Sequence, residues 1–183
     1  MIEHGIVDYG LAKRKAAESL SVSAQGALPS NSQIETCLAE RQRIFEPDGH
    51  ADRLWQFRRL ALDVMRQLVG FEPRLTGPVL SGTATPNSRI ELHVFSASAE
   101  IVGATLEQHG HRPLPCAKRY RFGGGRQVQV PSYRFQANGA VVLTPVFPEN
   151  GIREAPLSSI DRRPMARASQ LEIENLLASG SAS

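Results

Sequence analysis

The spacing of the apolar residues changes near Phe71, and this change constrains the fold more than any other feature of the sequence. Before it, apolar residues recur at helical intervals, and a stripe that includes Leu54, Phe57 and Ala61 predicts a helix over residues 51–69. After it, they alternate with polar residues, and Gly and Pro become frequent, as is typical of strands and turns. The sequence therefore predicts a helical first part followed by a sheet.

Weaker patterns place the remaining elements. In the first part, residues 7–20 are predicted to be helical, and Ser32 with Glu35 has the spacing of a capping box that begins another helix. Strands are predicted over 74–80, 89–95, 116–122, 128–135 and 140–147. Ser98 is predicted to cap a helix over 98–108, and Ser169 with Glu172 to begin a short final helix. Residues 149–167 lack any period and are expected to form a long surface excursion.

These elements predict an α+β fold. Residues 1–70 would be a helical N-terminal segment packed on the core, and residues 71–183 a mixed, mostly antiparallel sheet with flanking helices and a C-terminal helix. A length of 183 residues, 41% of them hydrophobic and 21% charged, is typical of one compact globular unit.

Composition narrows the functional classes. No apolar run approaches the roughly 18 residues that span a bilayer, and Glu3 and Asp8 interrupt any signal peptide, so a cytoplasmic location without membrane contact is expected. Cys37 and Cys116 lie far apart without a CxxC pair, and are interpreted as reduced thiols rather than a disulfide or zinc site. The net charge of +3 permits nucleic acid as a partner without requiring it.

The strand predicted at 89–95 carries a polar row that follows a glycine turn at Gly82. Arg89, Glu91 and His93 alternate with apolar residues, so the three side chains share one face of the strand. Two interpretations are open at this point. The row belongs to a binding or active site, or it solvates the open face of an antiparallel sheet.

Residues 80–95 resemble the signature of the polymerase-beta-type nucleotidyltransferase superfamily, in which one strand ends in Gly-Ser and the next carries Asp-x-Asp. Gly82 and Thr83 resemble the Gly-Ser pair, and SRIEL, beginning at Ser88, resembles the Ser-Asp-x-Asp-Leu segment. The resemblance extends over roughly residues 71–147. It implies a nucleotidyltransferase-like fold, a nucleotide ligand, and a pocket of carboxylates whose divalent ions bridge the phosphates.

The sequence departs from that signature at two acids. Arg89 stands at the first acid position, and the strand at 140–147, where a third acid is expected, offers only Thr144 as a polar side chain. A cation repels a divalent ion, so the resemblance implies at most one ion, such as Mg²⁺, held by Glu91 and His93, the candidate catalytic residues. Because the planar guanidinium of Arg89 suits a phosphate, ligand binding is expected where the transfer chemistry is degenerate.

Two further motifs are weaker. The sequence RFGGGR at 121–126 predicts a hairpin turn, or else a flexible flap that touches phosphate, and it lacks the Lys and Ser/Thr of a P-loop. His109 and His111 are interpreted as an exposed turn, or else as a pair of metal ligands. The candidate ligand-binding residues are Gly82, Thr83, Ser88, Arg89, Arg121 and Arg126.

Two functions of different classes follow. In the first, the chain is a nucleotidyltransferase-fold protein that binds a nucleotide or phosphorylated ligand, its transferase chemistry degenerate. In the second, it is a non-enzymatic protein-interaction module of the same fold, antitoxin-like or a scaffold, with Leu11, Trp55 and Phe57 available to a partner. Nucleic-acid binding is a lesser candidate. It is based on the basic stretches 13–15 and 118–126, in the second of which Tyr120 and Phe122 would stack bases.

Overall fold

The computed structural model describes residues 47–180 continuously, together with residues 13, 15–16, 18–19, 28–31, 33–34, 36–37 and 40–41. The described residues between 13 and 19 and between 31 and 41 are all helical. Leu11 and the predicted cap of Ser32 and Glu35 lie outside the described residues. Ser30 and Gln33 form a reciprocal cap instead, since the Ser30 amide donates to Gln33 Oε1 at 2.7 Å and the Gln33 amide to Ser30 Oγ at 3.1 Å.

The continuous part, 47–180, contains helices and strands in the order predicted for an α+β fold. Short 3₁₀ turns at Val69–Phe71, Gly123–Gly125 and Glu149–Arg153 separate some of them. The helices and strands are α1 (Pro47–Gln67), β1 (Arg74–Thr76), α2 (Pro78–Ser81), β2 (Ile90–Phe95), α3 (Ala99–Gln108), β3 (Leu114–Arg121), β4 (Gln127–Ala137), β5 (Ala140–Phe147) and α4 (Gln170–Gly180).

Five of these elements form one mixed sheet with the strand order β1-β2-β5-β4-β3. The β2–β5 pair is parallel, and the pairs β1–β2, β3–β4 and β4–β5 are antiparallel. The sheet is therefore mixed and mostly antiparallel, as predicted. Among the described residues, no helix combines the length and the apolar character that crossing a bilayer requires.

The first strand ends earlier than predicted. It stops at Thr76, because Gly77 has φ 73° and Pro78 begins the four-residue helix α2. Gly82, predicted to follow a strand directly, instead ends α2 in the left-handed conformation with φ 85°. The glycine that follows the strand is Gly77.

The main core lies on the face of the sheet that the helices cover. Ile90, Leu92 and Val94 of β2 are fully buried there. The core also takes buried apolar residues from the helices and from β4 and β5: Ala61, Leu62, Val64, Met65, Leu68, Val102, Leu106, Phe135, Val142, Val146 and Ile173. The boundary predicted at residue 70 thus falls just after α1, whose apolar side chains belong to the same core as the sheet.

A second, smaller core lies on the opposite face, where Phe95, Tyr120, Phe122, Val130 and Phe147 pack together. It forms because the β3–β4 hairpin extends past β5: residues 132–137 of β4 pair with β5, whereas residues 127–131 pair only with β3. The hairpin therefore places β3 side chains over the far face of β2.

The segment 149–168 closes this smaller core. Ile152 and Met165 pack against it, and the Leu157 amide donates to the Arg121 carbonyl at 2.6 Å. At its end, Ala168 forms an antiparallel bridge with Leu75 of β1. The predicted excursion is thus tied to both edges of the sheet.

Candidate functional site

The polar row of β2 lies beneath the hairpin and the segment 149–168. Glu91 is 5% exposed and His93 is 0% exposed, so the interpretation of an open, solvated sheet face is wrong for these two residues. Arg89, just before the strand, retains 36% exposure of its side chain and is more exposed than Glu91 or His93. Alternation along β2 puts all three on one face, as predicted.

Glu91 is the centre of a buried hydrogen-bond network. Lys118 Nζ lies 2.6 Å from both carboxylate oxygens, and the Tyr120 hydroxyl donates to Oε1 at 2.6 Å. Arg89 Nε is 3.9 Å from Oε2. Burial alone would raise the pKa of Glu91, but the hydrogen bond from His93 and the charge of Lys118 hold that pKa well below its usual range. Glu91 is therefore a carboxylate anion.

His93 is held between Glu91 and Arg167. Arg167 Nε, which can only donate, lies 3.1 Å from His93 Nδ1, so Nδ1 accepts and the ring proton of the neutral imidazole resides on Nε2. Nε2 then donates to Glu91 Oε1 at 3.2 Å. Burial lowers the pKa of His93, against the opposing attraction of Glu91. His93 is accordingly neutral, with both ring nitrogens engaged.

Arg167 is the site residue that the sequence did not indicate. It comes from the segment 149–168, which was expected to be a surface excursion, and lies 74 residues from His93 in the sequence. Its Nη1 donates to the Gly151 carbonyl at 3.0 Å, and its guanidinium carbon lies 5.1 Å from the Phe95 ring centroid. Its Nη2 is buried and has no hydrogen-bond partner in the described part of the chain.

The network carries an excess of positive charge. Arg89, Lys118 and Arg167 are cations, Glu91 is the one carboxylate among these contacts, and His93 and Tyr120 are neutral. Two positive charges therefore remain uncompensated within the network, partly shielded from water. Such a site attracts anions and repels divalent cations.

The residues present do not fit the pocket of several carboxylates and divalent ions that the superfamily signature describes. Both oxygens of Glu91 are bound by Lys118, and an ion between Glu91 and His93 would have to break the bonds that these residues make. No group of three His, Cys, Asp or Glu residues that could hold a metal occurs within the described ranges. The metal site at Glu91 and His93 stays a prediction that these contacts disfavour.

Thr144 does not occupy the place of the third acid. Thr144 is two residues from both Val142 and Val146, so the three side chains share one face of β5. Val142 and Val146 belong to the main core, and Thr144 therefore lies on the face opposite Glu91. In the β2–β5 register, the residue beside Glu91 is Leu143. The third acid position on the Glu91 face is thus apolar.

The turn at Gly82 is engaged by α1 rather than by the network. The Gly82 carbonyl lies 2.9 Å from His50 Nε2, and Arg58 donates to the carbonyls of Val79 and Leu80, each at 3.2 Å. These bonds satisfy carbonyl groups at the end of α2, and burial lowers the pKa of Arg58. The turn serves here to join α1 to α2.

Thr83 and Ser88 make local contacts near this turn. Thr83 Oγ1 is 2.9 Å from Ser81 Oγ, and Ser88 Oγ accepts the Thr85 amide at 2.9 Å. Neither Thr83 nor Ser88 is among the polar contacts of Glu91 described above. Their predicted role in ligand binding has no geometric support from the network.

The hairpin turn predicted at 121–126 is confirmed, since the Phe122 amide donates to the Arg126 carbonyl at 2.8 Å. Arg126 forms an ion pair with Glu154 at 2.6 Å and stacks on the Phe122 ring. Arg121 is exposed and alternates with Tyr120, so it points away from Glu91. The structure therefore does not bring Arg121 or Arg126 to the network.

Two other interpretations also change. Tyr120 and Phe122 are 4% and 5% exposed, so the base-stacking interpretation of these aromatic residues is wrong. His111 is half-buried, its Nε2 lies 2.7 Å from Gln67 Oε1, and burial, with the charge of His109 added, lowers its pKa. His109 is exposed at the end of α3.

Both cysteines, Cys37 and Cys116, are exposed free thiols.

Comparison of the chain with protein-family models, with curated proteins and with solved structures gives no match. The resemblance to the nucleotidyltransferase superfamily, carried by the motif at residues 80–95, therefore stays an expectation from the sequence.

Proposed function

We propose that the chain binds a nucleotide or another phosphorylated ligand through the cations around Glu91, as a nucleotidyltransferase-fold protein whose transferase chemistry is degenerate. The observation that carries this proposal is the surplus of positive charge: Arg89 and Lys118 lie beside Glu91, the single carboxylate, and Arg167 adds a third cation at His93. A phosphate group supplies the negative charge that these residues lack.

Access to the cations favours Arg89 and Lys118 as the first contacts. Their side chains are 36% and 27% exposed, whereas Glu91 is 6% exposed at its side chain. Lys118 has three donor hydrogens, of which two are directed to the Glu91 oxygens. Arg89 Nε is too far from Glu91, at 3.9 Å, for a hydrogen bond, so the planar guanidinium remains able to bind a phosphate in bidentate fashion.

The same contacts argue against nucleotidyl transfer. Glu91 is a weak base because its pKa is held low, and the lone pairs of its oxygens are directed to Lys118, Tyr120 and His93. Phosphoryl transfer depends on cations that neutralise the phosphates together with a group that activates the nucleophile. The site has the cations and lacks a free base.

Calorimetric titration with ATP, GTP, CTP and UTP, each with and without Mg²⁺, tests the proposal. We expect binding of at least one nucleotide without any gain from Mg²⁺, and a loss of roughly tenfold or more in affinity for Arg89→Gln, since a hydrogen-bonded charge pair is involved. Arg59→Gln, an exposed arginine on α1 that pairs with Asp63, is the matched control. Absence of binding by all four nucleotides, or equal binding by Arg89→Gln, contradicts the proposal.

A protein-interaction module is the second candidate, and Trp55 favours it. Trp55 on α1 is 44% exposed, which is unusual for so large an apolar side chain, whereas Phe57 packs partly against the main core. If this function holds, a partner co-purifies in fixed stoichiometry and Trp55→Ala releases it. A chain that remains alone after pull-down at low salt counts against it.

A further inference from the structure

The distal half of the β3–β4 hairpin has an exposed outer face that the network does not use. We call residues 118–121 and 127–130 the ribbon. Arg119 pairs directly with Gln129, and Arg121 with Gln127. All four side chains are exposed, and alternation puts them on the face opposite Lys118 and Tyr120.

The outer face of the ribbon is cationic and free of acids. Ala117 and Pro131 extend it by one residue pair, so no carboxylate occurs among the six residues of this face. Within the described residues, the side chains of Arg119 and Arg121 have no ion-pair or hydrogen-bond partner. Two arginines and two amides thus point into solvent without an intramolecular role.

The inner face holds the ribbon in place. Lys118 and Tyr120 donate hydrogen bonds to Glu91, and Val130 packs in the smaller core. At the tip, the ion pair of Arg126 with Glu154 and the backbone bond between Leu157 and Arg121 tie the hairpin to the segment 149–168. Because these contacts fix the ribbon, its outer side chains are presented on a rigid support, which reduces the entropic cost of binding.

The dimensions of this face match the major groove of duplex DNA. Residues two apart on a strand are about 7 Å apart, and directly opposed residues about 5 Å apart. The first distance is close to two base-pair steps, at 3.4 Å each. The major groove, about 12 Å wide, admits a two-stranded β-ribbon, and arginine and glutamine are the side chains that bind guanine and adenine edges there in bidentate fashion.

We propose that the ribbon binds in the major groove of duplex DNA, with Arg119, Arg121, Gln127 and Gln129 facing the base edges. The positive charge of this face is complementary to the negative charge of DNA. Each arginine is paired with a glutamine, and glutamine is suited to hydrogen bonds with base edges rather than to phosphates. At the glycine tip, Gly123–Gly125, no atom lies within 4 Å of the place that a Cβ would occupy on each residue, so phosphates can approach the backbone from that side. This surface is separate from the network around Glu91, and the proposal does not depend on nucleotide binding there.

Fluorescence anisotropy with a labelled mixed-sequence DNA duplex tests the proposal. We expect Arg119→Gln/Arg121→Gln to bind at least about tenfold more weakly than the parent chain at roughly 100 mM salt. Arg112→Gln/Arg134→Gln removes the same charge from two exposed arginines off the ribbon face, and is expected to change affinity by less than about threefold. Gln127→Ala/Gln129→Ala keeps the charge, and is expected to reduce discrimination between sequences in a selection from random duplexes.

Several outcomes would overturn the proposal. The proposal is wrong if the chain does not bind the duplex even at low salt, if the two double-arginine variants weaken binding equally, or if the chain prefers single-stranded DNA. It is also wrong if duplex RNA binds as tightly as duplex DNA, because the major groove of A-form RNA is too narrow for a ribbon. Circular dichroism and thermal unfolding establish that each variant is folded. All the substituted side chains are exposed, so folding is expected to be retained.

Discussion

Replacing Lys118 by methionine should destabilise the fold by leaving Glu91 charged and buried. The substitution keeps most of the aliphatic length of the side chain and removes both 2.6 Å contacts with the carboxylate. Glu91 would retain the Tyr120 hydroxyl and His93 Nε2 as donors, and Arg89 at 3.9 Å as the nearest cation.

The expected magnitude follows from the burial of the two partners. Removing one partner of a fully buried ion pair typically costs about 3–5 kcal/mol, because the remaining charge is uncompensated. Glu91 is 6% exposed at its side chain but Lys118 is 27% exposed, so water screens part of the interaction. We therefore expect the free energy of unfolding to fall by about 2–3 kcal/mol at pH 7.

Urea unfolding of four proteins measures this effect: the parent chain, Lys118→Met, Glu91→Gln and the double variant. In the double variant neither member of the Glu91–Lys118 pair is left charged without the other, so it should be more stable than the sum of the two single losses predicts, by about 1–2 kcal/mol. The m-value should be unchanged, which indicates that the folded and unfolded states expose the same surface as before.

A loss below about 0.5 kcal/mol for Lys118→Met, or additive effects in the double variant, would refute this reasoning. Either result would mean that the carboxylate is solvated, and that the Glu91 side chain is not enclosed by the hairpin. The surplus-charge argument for ligand binding would then lose its basis.

Three other predictions concern the fold. The pKa of Glu91 is lower in the folded chain than in the unfolded one, so stability is present above about pH 4.3 and falls as pH decreases; Glu91→Gln should flatten this fall in urea titrations between about pH 2.5 and 6. Gly103→Ala should cost about 1–2 kcal/mol, because its Cβ would lie 2.8 Å from both Cζ and the hydroxyl oxygen of Tyr133, whereas Gly49→Ala, with no atom within 4 Å, should be neutral or stabilising in thermal unfolding. Ser169→Ala should cost about 1 kcal/mol by the same assay, since it removes the cap of α4.

Local signals in the sequence predicted local structure well. The strand 140–147 agrees with β5 at both ends, and Ser98 caps α3 as predicted, accepting the Ile101 amide. Ser169 and Glu172 form the predicted reciprocal cap of α4. The strand predicted over 74–80 begins at Arg74 as expected, but its predicted end was wrong because Gly77 and Pro78 break it, and both residues are themselves signals of a turn.

The candidate site depended on contacts that local patterns do not contain. Alternation along β2 showed that Arg89, Glu91 and His93 share a face, but not that the β3–β4 hairpin covers it. That covering follows from the register of β4, which pairs past the end of β5. Arg167 reaches His93 across 74 residues, through a segment without any period. Pairing and distant contacts of this kind are set by the whole fold.

The polar network is larger than a structural role requires. Lys118 alone compensates the charge of Glu91, and Tyr120 and His93 satisfy hydrogen-bonding positions on its oxygens. Burial lowers the pKa of Arg167, which means that placing this cation there costs free energy, and its Nη2 gains no hydrogen bond among the described residues in return. Arg167 thus adds a cation at His93 while Glu91 is already paired with Lys118, and the anionic ligand that we propose would compensate this added charge.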